Sequence, residues 1–206
     1  MVLLMTIATA LTGGSWSSVA LVFLASAAGQ ATVGWTNDLH DSAADRAVGR
    51  ANKPTVRGDL RPEDLRLPIL VSATLTIPLS FFAAGWIGGA AHIAAVASAL
   101  AYNFFLARSV WSWVPYAVSF ALMPVFIAQA SSLSLWPTVP VVLLSVLVGV
   151  TAHLLNAIPD IDVDRETGWG GLAVSLGKRR SIFLAAVLAG GAAVCLGVVI
   201  NDLLNA

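Results

Sequence analysis

The feature that most constrains this chain is a repeated length. Apolar stretches of roughly 20 residues recur along it, the length a helix needs to cross the hydrocarbon core of a bilayer. They fall at about 1–12, 16–36, 67–87, 89–107, 111–130, 137–157 and 181–201. A helix satisfies its own backbone hydrogen bonds in lipid, so such stretches favour helices over any open sheet. The expected fold is all-α: a polytopic transmembrane helical bundle of about seven spans in one domain over 1–206. Tight turns are expected at Gly13-Gly14, Gly88-Gly89 and Ser131-Ser132. Composition agrees. Charged residues make up 11% of the chain, against roughly a quarter in soluble domains, and a large core does not explain that deficit. The formal net charge is zero, so no basic footprint for nucleic acid exists. The single cysteine, Cys195, supports neither a disulfide framework nor a metal cluster. No Lys or Arg precedes Arg46, so a basic leader region is missing from the start. The start is expected to be mature sequence or a truncated first span.

The charges that do occur are confined. The loop at 37–66 holds Arg46, Arg50, Lys53, Arg57, Arg61 and Arg66 with six acidic residues, and the loop at 158–180 holds Arg165, Lys178, Arg179 and Arg180 with four. Arg108 follows the fourth span, so by parity every basic residue lies on one side. The positive-inside rule predicts that this side is cytoplasmic. Trp16, Trp86 and Trp136 near the opposite ends, with Trp35, Trp111 and Trp113 near the inner ends, read as aromatic belts.

The two charged loops open on the same pattern. Asn37, Asp41, Asp45, Arg46 and Gly49 correspond to Asn156, Asp160, Asp164, Arg165 and Gly168, each pair 119 residues apart. The shared spacing, N-x3-D-x3-D-R-x2-G, predicts an internal repeat of about four helices. On a helix, residues at i, i+4 and i+8 share a face. Each copy therefore presents one amide and two carboxylates as a stripe, and two such stripes repel unless cations lie between them. Oxygen donors with no cysteine favour hard ions, Mg²⁺ foremost. A solvated acidic face explains one copy but not matched spacing in two. Helix caps with ion-paired arginines are a further explanation. A calcium loop beginning at Asp160 fails, since Arg165 and Gly171 stand where Gly and Glu are required.

These residues resemble a known family. Asn37-Asp38-x2-Asp41-x3-Asp45, with Arg50 and Lys53-Pro54, is similar to the first signature of the UbiA superfamily of intramembrane prenyltransferases. Asp160-x3-Asp164, with Gly168 and Leu172-x-Val174-x-Leu176-Gly177, is similar to the second. Tyr102-Asn103, Ala107-Arg108 and Pro115-Tyr116 resemble the loop between the fourth and fifth spans. The family typically has nine helices, so the resemblance implies a chain shortened at both ends. Gly171, Ala173 and Ser175 stand where many members have Thr, Pro and Arg.

The resemblance implies Mg²⁺-dependent transfer of a polyprenyl group from an isoprenyl diphosphate to a small lipophilic or aromatic acceptor within the membrane. It implies catalytic Asp41, Asp45, Asp160 and Asp164. Asn37, Asp41 and Asp45 would hold one Mg²⁺; Asp160 and Asp164, with Asn156, the other. Asp38 and Asp162 point off the stripes. Arg50, Lys53 and Arg108 would bind diphosphate, though Arg108 also suits a snorkelling interfacial arginine. Tyr102 and His153 would line the substrate pocket. His92 suits a helix–helix hydrogen bond, and Gln30 could do either. Three other readings remain at this level: a transporter, a phospholipid-type transferase, and an inactive relative serving as a structural partner. A transport path needs polar lining near the midplane, which the later spans lack. Transferases of the second kind carry one compact acidic signature rather than two.

Overall fold

The computed structural model describes residues 1–49, 53–131 and 136–205. Every element among them is helical. In chain order they are α1 (Val2–Leu11), α2 (Trp16–Val48), α3 (Pro54–Arg57), a 3₁₀ turn (Pro62–Leu65), α4 (Arg66–Ala101), a π-helical turn (Tyr102–Leu106), α5 (Val114–Ala130), α6 (Val139–Ala157), a 3₁₀ turn (Ile158–Asp160), α7 (Ile161–Glu166), α8 (Leu172–Leu176) and α9 (Lys178–Leu204). Four runs are long and apolar enough to cross a membrane: Trp16–Ala47, Pro62–Leu106, Val139–Glu166 and Lys178–Leu204. Val2–Leu11 and Val114–Ala130 are shorter apolar helices.

The run from Pro62 to Leu106 is two spans. Ala84 (φ −140°, ψ 19°) and Gly85 (φ 62°, ψ −165°) leave helical geometry and fold α4 back on itself. A straight helix would set Ser80 and His92 roughly 18 Å apart, yet Ser80 Oγ lies 2.7 Å from His92 Nδ1. Only glycine takes the conformation of Gly85 without strain. The turn is therefore at Ala84-Gly85, not at Gly88-Gly89. Those two glycines serve close packing instead: a Cβ on Gly89 would stand 2.9 Å from the Phe81 Cα, and one on Gly88 would stand 2.7 Å from the Gln129 Cβ. The limbs of the hairpin and α5 approach because these side chains are missing. The expected turn at Gly13-Gly14 is present, with Gly13 at φ 79°. Ser132 lies outside the described residues.

Two cores hold the bundle. Met5, Val22, Ala25, Ala83, Ala84, Met123, Phe126 and Ala130 join α1, α2, α4 and α5. Leu154, Ile161, Ala173 and Ala185 join α6, α7, α8 and α9. Polar side chains inside the spans are satisfied locally, as hydrocarbon surroundings require. Thr32 donates to Ser72 Oγ at 2.9 Å, linking α2 to α4, and Thr76 donates to the Ser72 carbonyl at 2.7 Å. The outer surface is apolar: Leu67, Phe82, Phe183 and Val194 are each more than two-thirds exposed, as lipid-facing residues are. Trp16 and Trp86 are also open, at 87% and 82%.

The span expected to close at residue 36 continues as α2 to Val48, roughly three turns further. It begins at Ser15, whose hydroxyl accepts the Ser18 amide at 3.1 Å. It ends at Gly49, in the left-handed conformation at φ 72°. The first acidic motif thus sits on the last turns of a continuous helix rather than in a loop.

Candidate functional site

Both copies of the repeat reach one cavity of about 460 Å³. From α2 it receives Asn37 and Asp41. From α6 and the segment beyond it receives Asn156, Asp160 and Asp164. Its wall continues away from these groups through Val33, Ala95, Val96, Ala99, Phe120 and Met123, apolar side chains interspersed with Ser119. Tyr102, Tyr116 and His153 stand between the acidic mouth and the apolar depth. The expected pocket residues Tyr102 and His153 are therefore in the wall, and Gln30 and His92 also line it.

The first stripe is internally ordered. Asn37 Nδ2 donates to Asp41 Oδ2 at 2.8 Å, the i, i+4 contact the spacing calls for. Asp45, one turn further, is 2% exposed and lies outside the cavity wall. Lys53 closes over this end of the helix: its Nζ bonds the Asp38 carboxylate, stands 3.5 Å from Asn37 Oδ1 and 4.0 Å from Asp45 Oδ2. Asp38 is off the stripe, as expected, and its partner is Lys53. Arg50 lies outside the described residues.

The second stripe is built differently. α6 stops at Ala157, because Pro159 lacks the amide that an unbroken helix needs. A 3₁₀ turn carries Asp160, and α7 carries Asp162 and Asp164. Asp162 faces outward, 3.9 Å from Arg165 Nη1 on the surface. The end of the motif matches the first copy again. Gly168 is left-handed at φ 74°, its amide reaching the Arg165 carbonyl at 3.3 Å; Gly49 makes the same bond to Arg46 at 3.2 Å. The R-x2-G part of the repeat is thus a helix-ending device, and from the N-x3-D-x3-D part every group except Asp45 lines the cavity.

Arg108 is not in the cavity wall. Its guanidinium lies 3.7 Å from the centroid of Trp169, a cation–π contact worth about 0.5–1 kcal/mol at an accessible site. This contact joins the segment after the π-helical turn to the segment after α7. The two are pressed together, since a Cβ on Gly170 would stand 2.2 Å from the Arg108 carbonyl oxygen. Ser112 Oγ adds a third tie, accepting the Leu172 amide at 3.1 Å and meeting His153 Nε2 at 3.0 Å. Residues 169–174 consequently form one wall of the cavity. Sequence reasoning missed Ser112, which carries no motif. The Gly168-Trp169-Gly170-Gly171 run was the available signal, with Gly171 at φ 126°. Asn103 is also structural: it is 6% exposed and donates to the Val33 carbonyl at 2.9 Å, pinning the π-helical turn to α2. Such turns concentrate at functional sites.

Among the described residues, no three His, Cys, Asp or Glu side chains converge tightly enough to hold a metal by themselves. Mg²⁺ does not require that. It binds through one or two carboxylates and completes its shell with water and phosphate oxygens. Three carboxylates and two amides on one cavity, with an apolar recess behind them, fit such an ion shared with a ligand.

Comparison with known proteins agrees with this fold. No curated protein is similar to the chain. Two solved structures are, both of a UbiA homolog from Archaeoglobus fulgidus. One, bound to GPP and Mg²⁺, aligns with a TM-score of 0.75 at 17% identity, over 96% of this chain and 72% of that one. The other, bound to DMAPP and Mg²⁺, aligns with a TM-score of 0.77 at 19% identity, over 94% and 71%. The shared property is the fold. The profile of the UbiA prenyltransferase family matches residues 1–205. The chain is an integral membrane protein and belongs to the UbiA prenyltransferase family.

Proposed function

We propose that this protein transfers a prenyl group from an isoprenyl diphosphate to a small lipophilic or aromatic acceptor, with Mg²⁺ held between its two acidic stripes. The observation that carries the reading is the convergence of Asp41 with Asp160 and Asp164 on one cavity whose far wall is apolar. A diphosphate and a hydrocarbon tail need those two environments in that order. The similar structures from Archaeoglobus fulgidus, bound to GPP or DMAPP with Mg²⁺, support it.

Bound Mg²⁺ would supply charge neutralisation at the departing diphosphate. The chain's own residues do the rest. Asn37 and Asp41 present oxygens from α2; Asn156, Asp160 and Asp164 present them from the other side. Asp45 supports the first stripe from beneath, through Lys53. Lys53, beside Asn37, and Arg108, over Trp169, are the proposed cationic donors for phosphate oxygens, and Arg50 belongs to the same proposal. The apolar wall excludes water from an electron-poor allylic carbon. The positive-inside rule, applied to the basic loops, supports a cytoplasmic mouth.

The test is Mg²⁺-dependent binding of a non-hydrolysable isoprenyl diphosphate analogue to purified protein, compared with Asp41→Asn and Asp160→Asn. Binding that needs Mg²⁺ and falls in both variants is the expected result. Binding that ignores metal and aspartates alike would sink the proposal.

A further inference from the structure

Two buried histidines line the cavity, and each meets a hydroxyl through a different ring nitrogen. Ser80 Oγ bonds the Thr76 carbonyl at 2.5 Å and His92 Nδ1 at 2.7 Å. Its one proton goes to the carbonyl, which can only accept, so His92 donates from Nδ1. Ser112 differs. It is 1% exposed, and its Oγ accepts the Leu172 amide at 3.1 Å. Its own proton has one acceptor within reach among the described residues, His153 Nε2 at 3.0 Å. Leaving a buried hydroxyl proton unmet costs about 1–3 kcal/mol. The satisfied arrangement makes His153 Nε2 the acceptor and puts the ring proton on Nδ1.

That proton has a place to go. His153 is 3% exposed and lines the cavity, and its Nδ1 makes no hydrogen bond to a described residue. The ring is held at a fixed angle, with Tyr116 tilted against it at 4.7 Å and Tyr102 edge-on at 5.8 Å. Tyr102 and Tyr116 in turn meet edge to face at 5.3 Å. The three rings make a corner suited to a flat ligand, with one N–H donor in it. A saturated hydrocarbon tail has no use for that donor.

We propose that His153 Nδ1–H is the hydrogen-bond donor that holds an oxygen of a planar acceptor, and that Ser112 is the positioning residue that fixes this tautomer. On this reading the acceptor presents an oxygen to that one donor. The word acceptor rests on the prenyl-transfer reading; the tautomer and the donor do not.

The experiment uses the full chain in lipid nanodiscs with nitrogen-15-labelled histidine. The three histidines are assigned by single substitution. His153 is expected as the neutral Nδ1–H form. Naphthol and methoxynaphthalene, whose oxygens accept, are expected to move its Nδ1 resonance, and naphthalene is not. Ser112→Ala should scramble the tautomer and Ser112→Thr restore it. His153→Asn, which keeps an N–H near the Nδ1 position, should bind naphthol within about threefold of wild type. His153→Gln should bind it roughly tenfold more weakly, the loss of one hydrogen bond. An Nε2–H tautomer in the wild type, equal response to naphthalene, or Gln outperforming Asn would each overturn the proposal. If diphosphate-analogue binding fails while naphthol still selects Nδ1, the prenyl-transfer reading falls and this site stands.

Discussion

The two copies of the acidic motif share a spacing and differ in backbone. In the first, α2 runs unbroken from Trp16 to Val48 and carries Asn37, Asp41 and Asp45 on one helix. In the second, the helix stops at Ala157 and restarts at Ile161. The cause is one aligned position, His40 in the first copy and Pro159 in the second. The break changes what each copy can offer. The continuous helix brings Asn37 and Asp41 to the cavity and sends Asp45 behind it; the broken segment brings Asn156, Asp160 and Asp164 there together. An equal spacing in sequence thus yields two cavity-lining polar groups from one side and three from the other.

The comparison can be broken from either side. The largest effect is expected from His40→Pro, which would impose the second copy's break on α2. A proline in a helix interior costs about 3 kcal/mol or more, and His40 also packs edge-on against Phe104 at 5.5 Å. Thermal unfolding in detergent should register a clear loss, and an unchanged midpoint would show that α2 tolerates a break there. Next is donor binding. Asp41→Asn and Asp160→Asn should each weaken Mg²⁺-dependent analogue binding by roughly 10–100-fold, the range seen when a metal site loses support. If only one of the two responds, the stripes do not act on one ligand.

Gly49→Ala and Gly168→Ala should each cost about 1 kcal/mol, since both glycines are left-handed. Similar unfolding shifts would confirm that the repeat's last element is structural in both halves, and a large binding defect in either would contradict that. The cations differ more. Lys53→Met removes a partner of Asp38 beside the nearly buried Asp45 and should cost about 1.5 kcal/mol. Arg165→Met loses an exposed partner 3.9 Å from Asp162 and should cost under about 1 kcal/mol. Reversal of that order would show that the second copy depends on its arginine as much as the first does on its lysine.

Much of this was legible in sequence, for physical reasons. The apolar lengths announced the helices, and the matched spacing announced which side chains would converge. What sequence hid was geometry set by single residues. The turn went to Ala84-Gly85 because a left-handed glycine was needed there, while Gly88-Gly89, the more conspicuous pair, only lets neighbouring helices touch. The motif spacing could not say that Asp45 would fall behind the cavity, since three residues at i, i+4 and i+8 drift around a helix of 3.6 residues per turn. Arg108 read as a clamp for phosphate or a snorkelling side chain, and its stacking on Trp169 arises from a contact 61 positions distant in sequence. Ser112 carried no motif of its own, because its importance comes from partners on two other segments.

The hairpin within α4 has a consequence for handling the protein. Its limbs reverse within two residues, and a tryptophan follows directly. No strand of free backbone protrudes between Arg66 and Leu106 for an enzyme to grip. Proteases added to the face where the limbs meet should leave this pair intact, and an epitope tag meant to report on that face has to be inserted elsewhere.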